Sequence, residues 1–131
     1  DDSRNIAPEG WHVPTDAELK QLEMYLGMSQ SEADGTGYRG TDEGGKLKEA
    51  GTTHWQSPNN GATNESGFSA LPGGARYGGT FMYVGGHAFF WSSTEDGSDT
   101  ALGRNLNHLS KKVGRSHWNK LLGVSVRCVR D

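Results

Sequence analysis

From Thr52 to Gly86 the chain has no helical period at all, and that silence limits the fold more than any motif does. HWQSPNNGATNESGFSALPGGARYGGTFMYVGG is dense in Gly, Asn, Ser and Pro. Its only apolar pieces are short, such as Phe68-Ser69-Ala70-Leu71 and Phe81-Met82-Tyr83-Val84. Such a segment cannot join a helix bundle, and it reads as short strands joined by turns. So much irregular backbone is expected only where it is tied into a specific fold or carries function. With 20 glycines and 32% hydrophobic residues among 131, the composition gives one domain with a modest core and a heavily turned backbone. Four Trp, four Tyr and four Phe set it apart from a disordered chain.

The helical content is predicted near the start. Thr15 and Glu18 have the spacing of a capping box, in which hydroxyl and carboxylate each satisfy a free backbone donor. Leu19, Leu22 and Leu26 then fall at i, i+3 and i+7, and Gly27 suits the left-handed stop. This predicts an amphipathic helix of about three turns whose leucines face a core. Residues 28–45 read as a long polar loop, and Lys46–Ala50 as a short second helix ended by Gly51. Ala88–Thr94 (AFFWSST) reads as a central strand. Thr100–Ser110 and Leu122–Arg130 read as two more strands around a tight turn near Lys112-Val113-Gly114. Helices first and antiparallel strands afterwards give an α+β domain spanning residues 1–131.

The closing segment, Trp91 to Asp131, mixes regular punctuation (WSST, R-x-L, V-x-R, K-x-x-G, SVRCVRD) with residues that follow no period. Leu102, His108, Trp118, Leu121 and Leu122 sit among Gly, Asn and Ser. A segment that builds a core shows a period, whereas one that displays side chains to a partner need not. Residues 101–131 hold seven basic residues against Asp131 alone, while the rest carries six bases and fifteen acids. Because the basic residues form no run, the tail is expected to fold back onto the acidic body; no nucleic-acid partner is expected.

Catalytic and metal chemistry find little support. His12, His54, His87, His108 and His117 form no ligand spacing with one another or with Cys128, the single cysteine. Cys128 shares the alternation of Val124 and Val126 and is expected in a buried strand. Asp96-Gly97-Ser98-Asp99 lacks the other ligands of a calcium loop and reads as a turn. Ser92, Ser93 and Thr94 lie near Glu95, but no histidine stands at a defined spacing to activate them. No metal and no cofactor are therefore expected. Among the tryptophans, Trp11 and Trp91 are expected in the core, Trp55 could serve either role, and Trp118 is the candidate exposed anchor. No apolar run reaches membrane-spanning length, so this segment is not expected to insert. The chain opens at DDSRN without a signal peptide and is read as a trimmed mature domain.

Five stretches carry a family resemblance: GWHVPTDAEL (Gly10–Leu19), LKEAGTTHW (Leu47–Trp55), PNNGATNESGFSALPGGARY (Pro58–Tyr77), FWSSTE (Phe90–Glu95) and SVRCVRD (Ser125–Asp131). Together they resemble the Fibrobacter succinogenes major paralogous domain family over nearly the whole chain. The resemblance implies a C-type lectin-like fold of the formylglycine-generating-enzyme-like branch. It also implies a secreted or cell-surface bacterial protein, or a phage-encoded surface protein, with no established catalytic residues. Ala101, Arg104, Leu106, Ser110, Val113, Arg115, Lys120, Gly123 and SVRCV keep the family's closing pattern. Leu102, His108 or Leu109, and Val124 depart from it. The arrangement is similar to variable regions diversified by retroelements, in which Asn105, Asn107 and Asn119 would be template positions.

The expected function is non-catalytic binding of a protein or glycan by a variable segment at about 96–124. Leu102, His108, His117 and Trp118 supply contact area there, and Asn105, Asn107 and Asn119 supply hydrogen bonds. Gly103, Leu109, Ser116, Leu121 and Leu122 complete the displayed set, while Arg104 and Arg115 hold the frame by pairing with acids such as Glu95. The alternatives are a structural surface or pilus module without a specific ligand and a formylglycine-generating-type oxidase. That oxidase chemistry uses a pair of cysteines where this chain has one.

Overall fold

The structure is a computed structural model that describes residues 6–131. After the short strand β1 (Trp11–His12), Thr15 caps helix α1 (Asp16–Tyr25) with both halves of the expected capping box. Residues 28–45 are not one loop. Ser29 and Glu32 form a second capping box over α2 (Gln30–Asp34), and a three-residue strand β2 (Gly37–Arg39) follows. The polar composition hid α2, because only Ala33 of its residues is buried. The next helix, α3, spans Glu43–Leu47, a few residues before the predicted position, and its Gly44 and Gly45 lie against backbone that leaves no room for a side chain. A Cβ on Gly44 would meet the carbonyl of Lys112, and one on Gly45 that of Gly61.

The stretch from Thr52 to Gly86 supplies one hairpin, β3 (Ala75–Tyr77) and β4 (Thr80–Met82). The rest is loop anchored from within. Trp55, 1% exposed, donates its indole N–H to the Ala70 carbonyl at 2.9 Å. Asn59 donates to the carbonyls of Glu49 and Gly51 at 3.0 and 2.7 Å. Trp55 is thus a core residue, while Trp11, expected there, is 43% exposed on β1.

The main sheet has four antiparallel strands in the order β2, β7, β6, β5, where β5 is His87–Glu95, β6 is Thr100–Asn107 and β7 is Val113–Asn119. Two expectations change here. The AFFWSST strand lies at the edge of this sheet, with its far side bridged only locally at Phe90 to Ser125. The partner of β6 across the turn is Val113–Asn119, not Leu122–Arg130. The alternation of VGRSHWN is obscured because Gly114 and Ser116 occupy one face and Arg115 and His117 the other. The final strand β8 (Val129–Arg130) closes the chain by pairing with β1, and His12 bridges Asp131 at 2.6 Å and Glu18 at 2.8 Å. Cys128, just before β8, is half-buried with a free thiol.

Helix α1 covers one face of the sheet. Leu26, Met28, Leu47, Trp55, Ala88, Leu106 and Val113 form the apolar core, with Leu22, Phe68 and Phe90 packed against it. The fully buried residues of α1 are nevertheless acids, Asp16 and Glu23. Glu23 is paired with both Arg39 and Arg104. Asp16 takes Arg104 at 2.7 Å and Arg115 at 2.8 Å. The frame arginines thus pair with acids of α1, and Glu95 pairs with Lys120 instead, at 2.9 Å. Burial alone would raise the Asp16 pKa, but hydrogen bonds from Arg115 and Arg104 overcome it and hold the carboxyl at about 2. The basic tail does fold onto the acidic body.

Lys48 is a different kind of buried cation. It is 0% exposed and donates to the carbonyls of Asn60, Asn107 and Ser110 at 2.8, 2.9 and 2.9 Å, beneath the Trp55 ring. Burial lowers its pKa to about 8. It ties the turn after β6 to the loop around Asn60.

Candidate functional site

Residues paired across antiparallel strands share a face, and neighbours along a strand alternate. Arg104 pairs with Arg115, and both reach Asp16 beneath α1, which makes this the inner face. Gly103 with Ser116, and Asn105 with Gly114, therefore point to the other side. The same register carries the outer face across the sheet. His87, Phe89 and Trp91 on β5 oppose Asn107, Asn105 and Gly103, and Tyr38 on β2 opposes Gly114. Trp118 pairs with Ala101 at its far end.

This outer face has two zones. On one side stand the rings of His87 and Phe89, parallel within 3° at a centroid separation of 5.4 Å. Phe89 meets Trp118 edge-on at 5.5 Å, and Trp118 meets Trp91 at 5.6 Å. Tyr83, just after β4, extends the cluster with contacts to His87 at 5.1 Å and Phe89 at 6.1 Å. On the other side Asn105 and Asn107 both donate to the Tyr38 hydroxyl, at 2.9 and 3.4 Å. Phe89, Trp91 and Trp118 are half-buried, whereas Tyr38 and Tyr83 are exposed.

Two glycines make this arrangement possible. A Cβ on Gly103 would strike the Trp118 ring, which lies across it, and would stand 2.8 Å from the Phe90 carbonyl oxygen. A Cβ on Gly114 would occupy the space taken by the Asn105 amide. The missing side chains let an indole and an amide lie down on the sheet. The electrostatics are equally plain: Asp16, Glu23, Arg39, Arg104 and Arg115 all serve the inner face, and the outward residues named above include no carboxylate, ammonium or guanidinium. Burial, with a smaller contribution from the neighbouring His108, lowers the His87 pKa and favours the neutral ring.

The expected site residues divide accordingly. Gly103, Asn105, Asn107, Ser116 and Trp118 come together on the outer face. Leu102 and His117 pair with each other on the opposite face, where His117 meets Asp96 at 3.1 Å. His108 and Leu109 belong to the turn between β6 and β7. There His108 contacts the Ser57 carbonyl at 3.0 Å and Leu109 is exposed. Asn119 accepts the Leu121 N–H at 2.9 Å and builds the next turn, which exposes Leu121 and leaves Leu122 half-buried. Sequence reasoning missed Tyr38, Tyr83, His87 and Phe89, and it placed Trp91 in the core. The period-2 signal was present in HAFFWSST, but Phe89 and Phe90 are both aromatic and only one of them faces inward. Nothing local pointed to Tyr38, which arrives from β2 by tertiary pairing.

Comparison with known proteins decides the family. The model of the Fibrobacter succinogenes major domain matches residues 1–130. The chain belongs to this family. No curated protein and no solved structure matches it. Arg104, Leu106, Val113 and Arg115, expected to keep the family's closing pattern, lie on the inner face, where they hold α1 and the core. Of the positions expected to depart from that pattern, Leu102 lies in the opposite layer and His108 and Leu109 in the turn after β6.

Proposed function

We propose that this domain is a non-catalytic binding module that presents the outer face of its four-stranded sheet to a ligand. In this reading the architecture is C-type lectin-like and the protein works outside the cell or on its surface. Family relatives would vary mainly at the outward positions of β5, β6 and β7, as a retroelement-diversified display surface would. The observation that carries the proposal is the join between an aromatic cluster and an amide–phenol group on one face whose centre carries no formal charge, the Glu95–Lys120 pair standing at its Trp118 end. Large rings left half-exposed and contiguous mark interaction surfaces, whereas scattered ones do not. Aromatic anchors beside small polar groups are the composition of adaptable binding surfaces.

The test uses purified, labelled domain and a panel of bacterial and epithelial cells. Flow cytometry compares wild type with Trp118→Ala and with Asn105→Ala. Face-dependent binding is expected to fall at least about tenfold in Trp118→Ala, the scale of a single anchor residue. Equal staining by wild type and both variants would exclude the face as the binding surface.

A further inference from the structure

We propose that His12 is a pH-sensitive clasp. As the imidazolium it fastens the end of β8 to β1 and to the start of α1, and on losing a proton it releases Asp131.

The backbone pairing at this place is slight. Strand β1 meets β8 at two residue pairs, Trp11 with Arg130 and His12 with Val129. One further hydrogen bond runs from the Asp131 N–H to the Gly10 carbonyl at 3.0 Å. So short a ladder is marginal by itself, and it joins residues 119 apart in the chain, so side chains have to supply part of the closure.

They supply it through one ring. His12 Nδ1 lies 2.6 Å from Asp131 Oδ1, and Nε2 lies 2.8 Å from Glu18 Oε1. A carboxylate only accepts hydrogen bonds, and a neutral imidazole donates from one nitrogen alone. Two such contacts on one ring therefore require both nitrogens to be protonated. Hydrogen bonds to Asp131 and to Glu18 raise the His12 pKa above the ordinary 6.5, against the opposing effect of desolvation. Among the described residues, these two carboxylates are the charged groups that reach the ring, one from α1 and one from the end of β8. Arg130, the cation of β8, is paired with Trp11 instead.

The two partners are not held alike. Glu18 also accepts the Thr15 N–H at 2.8 Å and the Thr15 hydroxyl at 3.1 Å, which fixes it in the capping box and lowers its pKa. The Asp131 side chain is 60% exposed and makes no other hydrogen bond among the described residues. When the ring keeps a single N–H, the anchored carboxylate retains it, and Nδ1 turns a lone pair toward Asp131. The clasp is thus complete below the ordinary histidine value of 6.5 and is lost as pH rises through the raised one. Its lower limit is the pH at which Glu18 takes up a proton.

The experiment follows the His12 ring by long-range proton–nitrogen NMR, and the Val129 methyls and Asp131 Cα by carbon relaxation. The titration runs between about pH 5.5 and 8.5, either side of an ordinary histidine. In wild type both ring nitrogens should carry protons at the acid end, and the midpoint should lie above 6.5. Asp131 should gain mobility with the same midpoint. Asp131→Ala should lower the midpoint and leave the chain end mobile throughout. Asp131→Asn, whose amide can either accept from the ring or donate to it, should hold the chain end across the whole range. A midpoint at or below 6.5, or one that Asp131→Ala leaves in place, overturns the imidazolium bridge. A raised midpoint with Asp131 equally ordered at both ends of the range overturns the clasp. So does mobility in Asp131→Asn that follows pH as in wild type, since the pH dependence then lies elsewhere.

Discussion

The two faces of one sheet follow opposite rules. The inner face buries formal charge: Glu23, Arg39, Arg104 and Asp16 are each less than 10% exposed, and every acid among them is paired. The outer face leaves aromatic surface half-open and carries no formal charge at its centre. A simple reading of hydrophobicity would assign these faces the other way round. Buried ion pairs cost desolvation and contribute little net stability, but breaking one is expensive, so they enforce a single geometry of α1 on the sheet. An open aromatic face contributes less to that geometry. The comparison teaches that this domain places its paired charges under α1 and its open aromatic surface, the proposed binding face, on the reverse side.

The largest effect should come from the inner face. Glu23→Leu would leave Arg39 and Arg104 without their shared partner, and a loss of about 3–5 kcal/mol is expected in chemical denaturation. A loss below about 1 kcal/mol would remove the basis for calling this face the rigid one. The next is a pH effect at Asp16. Its folded pKa is lowered to about 2 from an ordinary 3.8, so its contribution is fully present above that ordinary value. It is lost as pH falls from about 4 to about 2, and by linkage it is worth about 2 kcal/mol. Thermal melts of wild type and Asp16→Asn should converge across that window; a constant gap between them would contradict it.

Outer-face changes should cost less. Trp118→Ala removes edge contacts with Phe89 and Trp91 from a half-buried ring, for an expected loss of about 1–2 kcal/mol. A loss above about 4 kcal/mol would make Trp118 a core residue and erase the contrast between the faces. The smallest effect is expected from Gly114→Ala, within about 1 kcal/mol of wild type, because the atom it displaces belongs to the flexible Asn105 side chain. Its signature is loss of the Asn105–Tyr38 hydrogen bond, read from the amide side-chain resonances. Gly103→Ala makes the sharper contrast, since its new atom also crowds the Phe90 backbone.

Much of this was legible in the residues. The capping box at Thr15 and Glu18 formed as read, because it is a local bargain between neighbouring donors and acceptors. The family was legible too, from ordered motifs along the whole chain. The displayed set was legible only in part. Gly103, Asn105, Asn107, Ser116 and Trp118 share a face, but Leu102 and His117, one residue along their strands, are turned to the other side. Irregular composition had marked the right segment without giving its period, since a strand with Gly, Ser and Asn on one side shows little hydrophobic alternation.

By itself the sequence determined what depends on near neighbours: the first helix and its cap, the α+β order of elements, and the family. Only the tertiary structure decided which side of each strand is the outer one, because that follows from where α1 docks. Docking is set by contacts far apart in the chain, Asp16 and Glu23 with Arg104 and Arg115. The same long-range pairing brought Tyr38 and Phe89 to the amides of Asn105 and Asn107, and no local pattern encodes a neighbour that arrives from another strand.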